Sequence, residues 1–118
     1  MTDLSRKVQG MELCQNLFAN IPEHFDHELT SEVLRSRSVR IERIVSRGQA
    51  SPPDFWYDQA EHECVVVLAG KATLKIEGQP EMRLGPGDTL YLSAHTRHRV
   101  EWTDPQQDTI WLAVYWRD

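Results

Sequence analysis

The chain has 118 residues, which suits one domain with one core, and 40% of them are hydrophobic, enough to fill that core. A net charge of -5 runs against a nucleic-acid partner, because phosphate binding needs a basic face. No apolar run approaches the roughly 20 residues that span a bilayer, which excludes a membrane-spanning helix on pattern. Arg35, Arg37, Arg40, Arg43 and Arg47 form a basic stretch, but Glu32 and Glu42 interrupt it, and it reads as a solvated face. The two cysteines, Cys14 and Cys64, make no CxxC or zinc-ribbon spacing, and Cys64 reads as a buried, inert thiol in an apolar strand. Met1–Lys7 carries charge with no apolar segment behind it, unlike a signal peptide, so the expectation is a soluble cytoplasmic protein.

In chain order, residues 1–10 read as polar and frayed, and residues 11–19 fit either a short strand or a turn of helix. Asn20-Ile21-Pro22-Glu23 has the chemistry of a helix start, with proline in the first turn and Glu23 and Asp26 near the positive dipole end. Phe25, Leu29, Val33 and Leu34 follow at near-helical spacing, which predicts a short helix within 22–34, alone or with a turn at Thr30-Ser31. His24 and His27 then belong to an exposed helix face. Residues 1–38 are thus expected to form an N-terminal extension with a short helix, and residues 39–118 a β-barrel, within a single domain.

From Val39 the period changes to two, with Val39, Ile41, Arg43 and Val45 on one parity as a mostly apolar face, and Arg40, Glu42 and Ile44 on the other. Pro52 and Pro53 mark a loop. Glu63–Leu68 is apolar on both faces and rich in β-branched residues, as in the middle of a sandwich or barrel. Lys71–Glu77 alternates, with Ala72, Leu74 and Ile76 inward. Met82–Leu84, Thr89–Leu92, Arg97–Trp102 and Thr109–Tyr115 complete the set, separated by turns at Gly78-Gln79-Pro80, Gly85-Pro86-Gly87-Asp88 and Asp104-Pro105-Gln106-Gln107. Short strands with turns about every ten residues, and no crossover helices, imply an antiparallel all-β sandwich or barrel.

The segment Gly85–His98 holds the most chemistry. A glycine-proline turn leads into an apolar strand, and a second turn returns through His98, which shares parity with Val100 and Trp102. Arg97, Arg99 and Glu101 take the opposite parity. An imidazole on an apolar strand face is either a hydrogen-bonded core group or part of a site.

These residues resemble a cupin, a small jelly-roll β-barrel. The family's first motif, G-x5-H-x-H-x(3,4)-E-x6-G, ends here on Glu63 and Gly70; the second, G-x5-P-x-G-x2-H-x3-N, is traced by Gly87, Ser93, His95 and His98. The resemblance covers about residues 39–116. It is nearer still to small stand-alone bacterial cupins that carry a Trp56-Tyr57-Asp58-Gln59 segment, a Glu61-His62-Glu63 segment and a His95-Thr96-Arg97-His98 segment. The departures are specific: the two histidines of the first motif fall on Tyr57 and Gln59, and the proline, glycine and asparagine of the second on Ser93, His95 and Trp102. Of the three-histidine, one-glutamate metal set the resemblance implies, Glu63 and His98 remain by position.

Two readings follow. In one, Gln59, Glu63, His98 and Tyr57 hold a divalent ion such as Zn²⁺, Mn²⁺, Fe²⁺ or Ni²⁺, with Tyr57, Glu63 and His98 as catalytic groups of a small metal-dependent enzyme. Asp58, His62 and His95 are secondary ligand candidates, and a one-residue slip would exchange Glu63 for His62. In the other, the barrel is metal-free and binds a small organic ligand, with Glu63 hydrogen-bonded to Tyr57 and His98. Phe55, Trp56, Tyr57, Trp102, Trp111, Tyr115 and Trp116 supply apolar contact, and Arg97 and Arg99 sit near Trp102 as pocket candidates. The family resemblance also implies a homodimer.

Overall fold

The computed structural model describes residues 7–8, 11–12 and 14–118. Strands β1 (Lys7–Val8) and β2 (Met11–Glu12) pair with each other, and most of the segment expected to be frayed lies outside the described residues. The remaining strands are β3 (Leu29–Arg35), β4 (Val39–Ser46), β5 (His62–Ala69), β6 (Ala72–Ile76), β7 (Met82–Leu84), β8 (Thr89–Leu92), β9 (His98–Thr103) and β10 (Thr109–Trp116). They form a five-stranded sheet in the order β3-β4-β10-β5-β8 and a three-stranded sheet in the order β7-β6-β9. All pairings are antiparallel. No helix among the described residues is long and apolar enough to cross a membrane.

Period-two alternation places the core between the two sheets. From the large sheet come Val65 and Val67 of β5 and Trp111, Ala113 and Tyr115 of β10, and from the small sheet come Ala72 and Leu74 of β6. Gly70 carries the chain from one sheet to the other with φ +88°, and a Cβ there would lie 2.5 Å from both the Asp108 carbonyl oxygen and the Thr109 Cα. Only glycine fits so tight a crossing. The Gly85–Asp88 turn is tied down at both levels: Asp88 Oδ2 accepts from the Gly85 amide at 2.8 Å, and the Gly87 amide donates to the Val67 carbonyl at 2.7 Å.

The expected helix within 22–34 does not form. Residues 20–28 have no regular structure, and Leu29–Arg35 is strand β3, paired with β4 at the sheet edge. Glu32 faces Glu42 and Leu34 faces Ile41, so Val33 is an extra, bulged residue. Leu29 and Val33 are both half-buried, four residues apart, which imitates a helical stripe. A helix this short is marginal in isolation, whereas the edge of β4 offers backbone donors and acceptors that need partners. His24 and His27 are therefore loop residues.

The arginines of β4 and Arg47 just after it are not a solvated face either. Arg43 Nη1 donates to the carbonyls of Leu17 and Ala19 at 3.2 and 2.6 Å. Arg47 donates to the Glu23 carbonyl, pairs with Asp108 at 2.7 Å and lies over the Phe25 ring. Together they fasten the irregular N-terminal segment to the sheet.

Candidate functional site

The register of the large sheet decides what enters the space between the sheets. Tyr115 of β10 lies opposite both Glu63 of β5 and Arg40 of β4, and Ala113 lies opposite Val65 and Glu42. Residues directly opposite share a face, so Glu63, Arg40 and Glu42 point inward with the core. The parity of β4 that is apolar in sequence, Val39, Ile41 and Val45, faces the other side of the sheet instead, where Val45 is nevertheless fully buried. A slip that exchanges Glu63 for His62 does not occur: His62 is paired with Trp116 and turns out, where its Nδ1 accepts from the Ala94 amide at 3.0 Å and its Nε2 lies 2.9 Å from Asp118.

A second pairing brings the two motif segments together. The loop at residues 51–57 runs along the free edge of β9; Tyr57 and His98 exchange both backbone hydrogen bonds, at 2.7 and 3.1 Å. Their rings stack with centroids 5.4 Å apart, and Phe55 meets Tyr57 edge-on. Arg99 stabilises this loop from beneath, donating to the carbonyls of Ser51, Pro52 and Phe55.

The result is a cavity of about 210 Å³, lined by Glu28, Thr30, Glu42, Tyr57, Gln59, Glu63, His98 and Tyr115 at its polar end and by Ile44, Val65, Leu74, Val100 and Trp111 at its apolar end. At about 30 Å³ per water, it holds the equivalent of roughly seven waters, so its natural occupant is small. Glu63 and His98 are 7% and 5% exposed. Glu63 Oε1 lies 3.5 Å from His98 Nε2 and accepts from Gln59 Nε2 at 2.9 Å. His98 Nδ1 lies 2.8 Å from the Thr96 carbonyl oxygen. A carbonyl only accepts, so Nδ1 carries a proton and Nε2 is the atom whose protonation changes.

Burial opposes the charged imidazolium of His98, but the hydrogen bond to Glu63, the one to Thr96 and the charge of Glu63 outweigh it, and its pKa is raised. Burial also raises the Glu28 carboxyl, reinforced by Glu42. The Tyr57 phenol is raised by burial and then by Glu28 and Glu63, and that of Tyr115 by burial and then by Glu63 and Glu42. Neither tyrosine is a phenolate near neutral pH.

The structure therefore brings Tyr57, Gln59, Glu63 and His98 to one wall. Asp58 and His95 pair with each other at 2.7 Å on the exposed side, where the His95 amide also donates to the Gln59 carbonyl; they latch the two segments together rather than line the cavity. Trp102 does not share a face with His98. Thr73 pairs with Trp102 while Leu74 pairs with Val100, so Glu101 is a bulge that reverses the parity beyond it. Trp102 is 44% exposed and lines a surface groove with Lys71, Arg83 and Leu84. Arg97 pairs with Glu77, and both Arg97 and Arg99 lie outside the cavity lining, each with its guanidinium near the Trp56 ring. Glu28 and Glu42 line the cavity without any local mark in the sequence; Glu42 depends on a register that only strand pairing defines, and Glu28 on where the irregular segment enters β3.

The family model described as Cupin domain matches residues 43–115. The chain belongs to the cupin family. Its structure is similar to that of a protein from Ralstonia eutropha JMP134 provisionally named a mannose-6-phosphate isomerase, at 44% identity and TM-score 0.86, over 89% of this chain and 98% of that one. It also resembles a cupin superfamily protein from Desulfitobacterium hafniense DCB-2 (19% identity, TM-score 0.68, 83% and 84% of the two chains). A third likeness is to the DMSP lyase DddQ from Ruegeria pomeroyi DSS-3 (21% identity, TM-score 0.68, 89% of this chain and 55% of that one). The last two are likenesses of fold. No curated protein matches the chain.

Many cupins bind a divalent metal, and this cupin's donors do not fit such a site well. Among the described residues no group of three or more histidine, cysteine, aspartate or glutamate side chains is arranged around a common point. Glu63 and His98 are two strong donors; a tyrosine phenol and the Gln59 amide oxygen, whose nitrogen is turned to Glu63, are weaker ones.

Proposed function

We propose that this cupin binds a small polar organic molecule in the cavity and that Glu63 and His98 move a proton on it, without a resident metal. The observation that carries this reading is the buried Glu63–His98 pair, with His98 Nδ1 anchored on Thr96 and Nε2 turned toward the carboxylate at the cavity wall. A carboxylate beside an imidazole whose pKa that carboxylate helps to raise is an acid–base couple in reach of a bound carbonyl or hydroxyl compound. Tyr57 and Tyr115, both protonated, offer hydroxyl donors for an oxygen that gains charge as the proton leaves carbon. Isomerisation, the activity in the provisional name of the Ralstonia relative, is one reaction that such proton movement performs.

The test is proton exchange. The protein is incubated in deuterated water with small hydroxy- and amino-carbonyl compounds, and loss of the α-proton signal is followed by NMR. Wild type is expected to exchange at least one of them, and Glu63→Gln and His98→Gln to lose that exchange while staying folded. Stabilisation by ligands without any exchange would favour a second reading, a non-catalytic binding module. Elemental analysis of purified, untagged protein bears on the metal: near-stoichiometric Zn, Mn, Fe or Ni would overturn the metal-free assignment.

We also propose that two copies pair through the outward face of the large sheet. There Tyr91, 58% exposed, stacks on Trp116, next to outward Ile41, Leu112 and Val114. A monomeric mass at micromolar concentration would contradict this.

A further inference from the structure

The charges around the cavity constrain what enters it. Among the described residues three carboxylates line it, from Glu28, Glu42 and Glu63, and no lysine or arginine does. Arg40, on the same inward parity but not among the lining residues, is bonded to Glu42 at 2.7 Å and to Glu61 at 2.7 Å, and so neutralises Glu42 in part. Glu28 and Glu63 remain, opposed at most by one imidazolium on His98. The other titratable groups facing this space, Tyr57 and Tyr115, are neutral when protonated and add no positive charge.

Among the described residues, two polar atoms on largely buried side chains have no partner inside the protein, and both are open to the cavity rather than sealed in the core. Tyr115 is 8% exposed, lines the cavity, and its hydroxyl makes no hydrogen bond within the described residues. Glu63 uses Oε1 for Gln59 and His98, while its Oε2 makes no hydrogen bond within the described residues. A hydroxyl and a carboxylate oxygen facing a small space lined by tyrosine and tryptophan rings match an ammonium-type group, which offers positive charge to the carboxylates and to aromatic faces together. The Tyr115 ring already carries one cation on a face, with the Arg40 guanidinium carbon 4.0 Å from its centroid.

Resting on the reading of the cavity as the ligand site, we infer that its ligand is a small organic cation, an amine or quaternary ammonium compound, rather than a phosphorylated sugar. A phosphate would enter a carboxylate-lined space with no guanidinium or ammonium to receive it, since Arg97 and Arg99 face elsewhere. A cation would instead relieve the repulsion between Glu28 and Glu42. Burial raises the Glu28 carboxyl, and the charge of Glu42 adds to it.

The experiment compares three probes on the full-length protein by calorimetry and thermal shift: choline, its uncharged isostere 3,3-dimethylbutan-1-ol, and mannose 6-phosphate. Choline is expected to bind, with the isostere about tenfold weaker or more, a difference of about 1.4 kcal/mol, and mannose 6-phosphate not to bind. Glu28→Gln, a conservative change at the cavity mouth, should weaken choline several-fold and affect the isostere far less. Thr30→Trp, which fills the mouth from the edge strand, should abolish both. If the isostere binds as tightly as choline and Thr30→Trp blocks it, the cavity remains the ligand site and the cation inference fails. If mannose 6-phosphate binds and Thr30→Trp blocks it, the cation inference fails in the same way. Failure of every probe to bind would overturn the cation inference together with the reading of the cavity on which it rests.

Discussion

The two ends of the space between the sheets are built on the same strands and differ completely in chemistry. On β5, Val65 and Val67 give way to Glu63 at the next inward position; on β10, Trp111 and Ala113 give way to Tyr115; on β4, Ile44 gives way to Glu42; on β9, Val100 gives way to His98. Each strand crosses from a dry end to a polar end in a single inward step. Because an inward step is two residues, a β-barrel places a site directly against its core with no loop to support it. The closed end supplies the stability that permits the polar end to hold a buried acid–imidazole pair.

Substitutions at the two ends should separate these roles. The largest effect is expected at the closed end, where Leu74→Ala removes a side chain 3% exposed and should cost about 2–5 kcal/mol in a denaturant titration. A loss much below that range would mean that the apolar end is already loosely packed. Next comes the polar wall: His98→Ala leaves Glu63 buried beside an empty space and should cost about 1–3 kcal/mol, while the double change Glu63→Leu, His98→Leu should recover much of it. If the double variant is no better than the single, the pair is coupled to stability in some other way.

The pH dependence carries a definite sign. His98 has a raised pKa in the folded state, so its contribution is fully present below the unfolded value of about 6.5 and is lost as pH rises through the folded value. Thermal unfolding midpoints should therefore fall across that window in wild type and fall less in His98→Gln. The smallest effect belongs to Glu28 at the mouth. Its pKa is also raised, so the folded state holds its proton more tightly, and the ionised carboxylate opposes folding once pH exceeds the folded value. Glu28→Gln should raise the midpoint slightly at neutral pH and not in acid. An equal gain at both would place its cause outside ionisation.

Much of the small sheet and of β5, β8 and β10 was legible from alternation and turn chemistry. Thr89–Leu92 begins and ends where the pattern places it, and Gly70, Gly78 and Gly87 all occupy turns at positive φ. The motif frame also marked Glu63 and His98 as a pair, although they lie 35 positions apart in the chain. What failed has common physics. The helix expected within 22–34 became β3, since a free sheet edge offers more to a short segment than its own intrahelical bonds. Trp102 turned outward, since one bulged residue at Glu101 reverses every side chain beyond it.

Local sequence thus determined which segments are strands, where they turn and which motif residues are candidates, because alternation and φ preference act over a few residues. Tertiary structure decided which face of β4 looks inward, that Glu28 and Glu42 join Glu63 around one cavity, and that Arg97 and Arg99 stay out of it. Those outcomes depend on register and bulges between strands distant in sequence. There the deciding energy is that of cross-strand pairing and burial, which no single segment contains.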